Sequence, residues 1–220
     1  MKKIVGLALG IACLAAAVGA QATTVAELKV LGTIKPASCN LSMVGQGTVL
    51  YGDISSSSLS QTAFTPLPEK NTSFTINCGT GHTPFGLTFT DLQNSSTVPG
   101  ILSALNQGHS DVHNFGLGTV GSNKTGGYAI TLKSLQSPGA TLSLITRGSN
   151  TGGWLGANDG KVAKWPNQYS WRTGTALVPA SLSQMTGNIA VRAVINKAQD
   201  LTLNRDIPFE GRASLTLVYL

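Results

Sequence analysis

Apolar residues along this chain mostly alternate with polar ones, and the alternating stretches end at Gly, Pro, Asn or Ser. Ser73, Phe74, Thr75, Ile76, Asn77 and Cys78 alternate with period two. Phe85, Leu87 and Phe89 share one face of residues 85–90. Residues 128–132 follow Gly126 and Gly127, and residues 141–146 follow Pro138 and Gly139. Ile189, Val191, Ala193 and Ile195 line one side of residues 188–195, as Ala213, Leu215, Leu217 and Tyr219 line one side of 212–220. Residues 28–32 and 48–51 are shorter candidates of the same kind. Period two sends successive side chains to opposite faces of a strand. Eight or more short strands separated by turn residues predict an all-β sandwich. The helix signal is confined to one or two turns within 98–107. Residues 148–174, rich in glycine and carrying Trp154, Trp165, Tyr169 and Trp171, fit either a long decorated loop or an extra hairpin.

The first 22 residues have the pattern of a secretory leader. Lys2 and Lys3 precede an apolar run over 4–18, and Ala20-Gln21-Ala22 is a small-x-small cleavage site. The predicted domain is then a single sandwich over 23–220, with no transmembrane span once the leader is removed. Export changes the cysteine arithmetic. Cys13 leaves with the leader, and Cys39 and Cys78 remain. An even pair in an exported chain is most simply one disulfide. Two thiols without a CxxC or a nearby histidine pair lack the spacing of a zinc site.

Composition narrows the function classes. The chain is 41% hydrophobic, which excludes a disordered tail, and only 11% charged. Three Glu and ten Lys in 220 residues exclude a coiled coil. Losing Lys2 and Lys3 takes the net charge from +6 to +4, and no run of Lys or Arg exists, so no nucleic-acid partner is expected. Gly116, Gly118 and Gly121 match GxGxxG, but Ser122 to Gly127 cannot open the helix that a dinucleotide site needs. His109, Asp111 and His113 alternate within a Gly/Ser/Asn-rich stretch that reads as a solvated loop. No nucleophile, metal or paired-carboxylate pattern stands out. No enzyme, cofactor or metal is expected. Trp154, Trp165 and Trp171 are candidate ligand aromatics, because an exposed ring face matches the apolar face of a sugar.

Three stretches carry a family resemblance. Gly32, Ile34, Pro36 and Cys39 resemble the entry to the first strand of chaperone–usher pilins. Phe74, Ile76 and Cys78 resemble the strand bearing the second pilin cysteine, and Tyr219 stands at the penultimate position common in pilins. A wider set looks like the GltF-related family of exported, fimbrial-like bacterial proteins of largely unknown function. It joins Val30, Gly32, Ile34, Pro36 and Cys39 to Tyr51-Gly52-Asp53-Ile54, Phe115 with Gly118, Gly126 with Tyr128, and Gly211 through Leu220.

The resemblance implies an Ig-like, pilin-like β-sandwich with one disulfide, lacking its last strand. A periplasmic chaperone and an usher would be its partners. It would self-associate in a filament by donor-strand complementation, at the periplasm or the fimbrial surface. The donor strand would carry Thr24, Ala26, Leu28 and Val30 on one face. The groove and chaperone-facing strand would carry Ala213, Leu215, Leu217 and Tyr219. The alternative implied is a soluble periplasmic protein with a binding or regulatory role, in which residues 23–31 pair within their own domain as an ordinary first strand.

Overall fold

The computed structural model describes residues 26–33, 38–149 and 151–220. The predicted leader and Thr24 lie outside the described residues. The chain divides into a unit that ends at Ile34 and a second from Lys35 to Leu220. In the first, residues 26–33 form no strand, and Leu28 and Val30 are 88% and 85% exposed.

The second unit is built on eight principal strands. They are β1 (Asn40–Met43), β2 (Lys70–Asn77), β3 (Thr83–Asp91), β4 (Gly126–Ser137), β5 (Ser143–Arg147), β6 (Gln168–Arg172), β7 (Gln184–Ile195) and β8 (Ala213–Tyr219). One sheet runs β1-β2-β7-β4, with Phe115–Gly116 beyond β4. The other runs Leu155–Gly156, β5, β6, β3, and then β8 on the far side of β3. All pairings are antiparallel.

The alternation read from the sequence now has its physical cause. Phe74 and Ile76 of one sheet and Phe85, Leu87, Phe89, Tyr169 and Trp171 of the other meet in one core. Trp171 packs edge-on against Phe85 at 5.3 Å between ring centres, and Tyr169 against Phe89 at 5.9 Å. This is the two-layer arrangement of a sandwich. Pro138 and Gly139 turn the chain after β4, with Gly139 at φ +75°, a conformation that suits glycine. Cys39 and Cys78 are disulfide-bonded, with Cα atoms 3.9 Å apart, and staple the start of β1 to the end of β2. The bond fits an oxidising, exported environment.

Three sequence expectations change: the strand candidate at 28–32 does not form, and those at 48–51 and 148–174 turn out otherwise. Residues 48–51 form no strand, and the segment is held instead by the Tyr51 side chain, whose hydroxyl bonds to Val191 and Ala193 of β7. Residues 148–174 are neither a loose loop nor a separate hairpin: β6 is a central strand of the second sheet, and Leu155–Gly156 extends its edge. The strand β1 had gone unread, since four residues give too little period to see. The weak helix signal is a 3-10 turn over Ile101–Leu105.

Candidate functional site

Core-facing side chains are not equally buried. Along β2, β3 and β6 they are buried, and along β7 they are buried except at Val191. The partly buried apolar residues that pack on the same core concentrate in two stretches of chain. One holds Leu41, Met43, Tyr51, Ile54 and Leu59, and the other Leu201, Phe209, Ala213, Leu215 and Leu217. The first is β1 and the segment after it, and the second is β8 and the segment before it. β1 ends one sheet and β8 ends the other. Neither has a second partner strand among the described residues. A seam of half-covered apolar side chains therefore lies between two strand edges.

The two ends of the seam differ. At the C-terminal end of β8, the Tyr219 hydroxyl accepts a hydrogen bond from the Cys39 N–H at 2.8 Å, across 180 residues of sequence. That bond joins β8 to the disulfide-anchored start of β1. Before β8, the segments that hold Ile54 and Phe209 line a cleft of about 1010 Å³, with Leu50, Leu203 and Ile207 in its wall and Asp53, Arg205 and Asp206 among its polar groups. The Tyr51 hydroxyl donates to the Val191 carbonyl and accepts from the Ala193 N–H, at 2.9 and 3.1 Å, which ties this segment to β7. Burial raises the Tyr51 hydroxyl above the ordinary tyrosine range, so it stays a neutral donor. In chemical terms the seam offers main-chain donors and acceptors along each edge, with apolar side chains between them. That combination accepts an added β-strand.

The predicted residues separate into groups. Ala213, Leu215 and Leu217 lie together on the inward face of β8, and Tyr219 continues that line at 52% exposure. Ala26, Leu28 and Val30 are exposed. The three tryptophans are not one surface. Trp171 is 0% exposed and belongs to the core, which corrects its assignment as a ligand aromatic: tight packing against Phe85 leaves no ring face free. Trp154 is half-buried with the Arg147 guanidinium 4.5 Å over its ring. Trp165 remains exposed. Sequence reasoning missed the β1 wall and the cleft residues. Their signal, isolated apolar residues among turn-forming ones, differs little from that of any loop.

Other chemistry-bearing groups are accounted for by structure. The buried Asp91 carboxylate accepts the Gln93 and Gly116 N–H groups at 2.9 and 3.0 Å and so holds the chain after β3. Gly116 pairs with β4, and Thr119–Val120 with Asn123–Lys124, so no helix follows the GxGxxG run. Among the described residues no group of three acidic, His or Cys side chains is placed to hold a metal, and no helix is long and apolar enough to cross a membrane.

None of the curated proteins matches the chain. Residues 28–129 match a family described as a protein of unknown function (DUF1120), so that the likeness takes in the β1 wall of the seam and ends before β8.

Proposed function

We propose that this chain is a fimbrial or fimbrial-like structural subunit at the bacterial surface, assembled by donor-strand complementation. The observation that carries the reading is the seam between β1 and β8, where apolar side chains that pack on the core remain half-covered. An exposed edge of this kind invites pairing with another chain. Export, the disulfide and the resemblance to pilins favour a controlled partner: first a periplasmic chaperone, then the N-terminal stretch of the next copy. Ala26, Leu28 and Val30 alternate with Glu27 and Lys29, so one face of that stretch suits the seam and the other suits water. The contact is head-to-tail and does not close on itself, which builds a filament.

The test is assembly of Leu28→Asp/Val30→Asp in cells. Sheared surface material, run unboiled and boiled, should give a ladder from the parent chain that collapses on boiling. The variant should give monomer only, because a carboxylate cannot enter an apolar seam unpaired. A ladder from the variant would remove the donor assignment. A single periplasmic band from the parent chain would favour the soluble, self-complete alternative.

A further inference from the structure

A second, smaller core lies on the outer face of the β4–β7 sheet. Ala129 and Val194 point away from the main core, and the 3-10 turn Ile101–Leu105 covers them with Ile101, Leu102 and Leu105. The segment that carries this turn ends in a second turn, Asp111–His113. His113 is its last residue and His109 lies two residues before the turn begins, their rings edge-to-face at 5.7 Å between centres. Both ring nitrogens of His109 are shielded from solvent and have no hydrogen-bond partner. His113 differs, since its Nδ1 accepts from the Ser110 N–H at 3.1 Å.

The charges around the pair are mostly positive. From β7 comes Arg192, which sits opposite Ala129 in the sheet register. From the flank of β4 comes Lys161, paired with Asp159 at 3.1 Å, its ammonium also reaching the Gly108 carbonyl at 3.5 Å. On the covering segment itself, Asp111 accepts the Gly100 N–H. Packed against it from the chain after Lys161, Lys164 donates its N–H to the Val112 carbonyl and its ammonium to Asn94. Asp159 is the one carboxylate that acts on both imidazoles, and it is already paired.

We propose that His109 and His113 form an acid-sensitive latch that releases the 98–114 segment from the outer face of the sheet when the pair is protonated. A proton on His109 would create a shielded cation with no acceptor, beside Lys161, Arg192 and a second imidazole. The closed segment has no way to satisfy that charge, whereas an opened one gives it to water. Burial pushes both imidazoles below the ordinary histidine range, and the charge of Lys161 pushes the same way. Because the closed form binds protons more weakly, its stability is complete above the open-state pKa of about 6.5 and is lost as pH falls below it.

Amide exchange of the purified chain at pH 7.5 and 5.0, corrected for intrinsic rates, tests this. Peptides within 98–114 should lose protection at pH 5.0, by at most about 30-fold for each histidine, while β2 and β7 keep theirs. His109→Gln/His113→Gln should abolish the difference. Protection that holds at pH 5.0, a loss shared equally by β2 and β7, or a loss that persists in the double variant would each overturn the latch. Should the variant not fold, proton NMR of the parent chain decides: C–H resonances assigned to the His109 and His113 imidazoles, and distinguished from those of His82, that titrate at or above about 6.5 would also overturn it.

Discussion

The two long flanks of the sandwich are built differently. At the flank of β4 and β5, residues 155–162 run from one sheet to the other. Leu155–Gly156 pairs with β5, and the Ala157 N–H donates to the Leu144 carbonyl. The chain then crosses to β4, where the Gly160 carbonyl accepts from the Leu132 N–H and the Val162 N–H donates to the Ile130 carbonyl. Gly160 suits this crossing, since its φ is +67° and a Cβ there would stand 2.3 Å from the Leu132 carbonyl oxygen. Val162 is fully buried as a result. At the flank of β1 and β8, no such segment runs between the sheets among the described residues. Leu41, Met43, Leu215 and Leu217 are left half-covered. The two flanks share a core and differ by one length of main chain. The residues at 148–174, which look like surplus decoration in the sequence, supply that length on one side only.

The contrast is broken most directly by deleting a large side chain on each part of the core. Trp171→Ala is expected to cost about 4–5 kcal/mol, near the upper end for a fully enclosed aromatic that leaves a cavity. Leu217→Ala is expected to cost about 1–2 kcal/mol, because the side chain is only partly buried and water already reaches part of the site. Urea unfolding midpoints, read with the slope held constant, measure both. A synthetic peptide carrying residues 23–31 should raise the cost at Leu217 toward that of a buried leucine. Equal costs without peptide would mean that the seam is already filled.

Next in size is the staple at the head of the seam. Cys39→Ser/Cys78→Ser removes a bond that closes 39 residues of chain, and should lower stability by about 4 kcal/mol on the chain-entropy account. The loss should be read against the position of β1. Its four residues pair only with β2, in the register Asn40–Asn77 to Met43–Phe74, so the disulfide carries much of its attachment. Exchange of the β1 amides should therefore rise more than that of β7 amides. Equal rises would show that β1 is held by its packing and not by the bond.

How much of this was legible beforehand follows from where each signal lives. Phe85, Leu87 and Phe89, and Ile189 with Ala193 and Ile195, announced their strands because the face turned to the main core repeats an apolar residue at every second position, even where the other face is also buried. The Cys39–Cys78 pairing followed from counting and compartment. The β8 wall was readable for the same reason as the other strands. The opposite wall was not. Leu41 and Met43 span one short strand, and Tyr51, Ile54 and Leu59 sit in irregular chain whose direction is set by contacts with β7. Trp171 was misread for a related reason. Its neighbours Arg172, Thr173 and Gly174 have the composition of a loop, and only pairing with Leu144 on β5 fixes its ring inward. Sequence reports local period well, and reports poorly which irregular segment lies over which edge.

The smallest expected effect tests the point where the two edges meet. Tyr219→Phe keeps the ring and removes the one hydroxyl that accepts the Cys39 N–H. Cys39 is only partly buried, so water can replace much of the lost bond. The expected cost is about 1 kcal/mol, the usual net worth of one hydrogen bond. The midpoint should fall with an unchanged slope, and the Cys39 amide should exchange faster while the β3 amides do not. If neither moves, β1 and β8 are not joined at Tyr219, and the seam is open along its whole length instead of closed at one end. That difference matters for any strand that enters: a closed end sets how far an incoming strand can travel along β8, and so fixes which of its residues meets which gap.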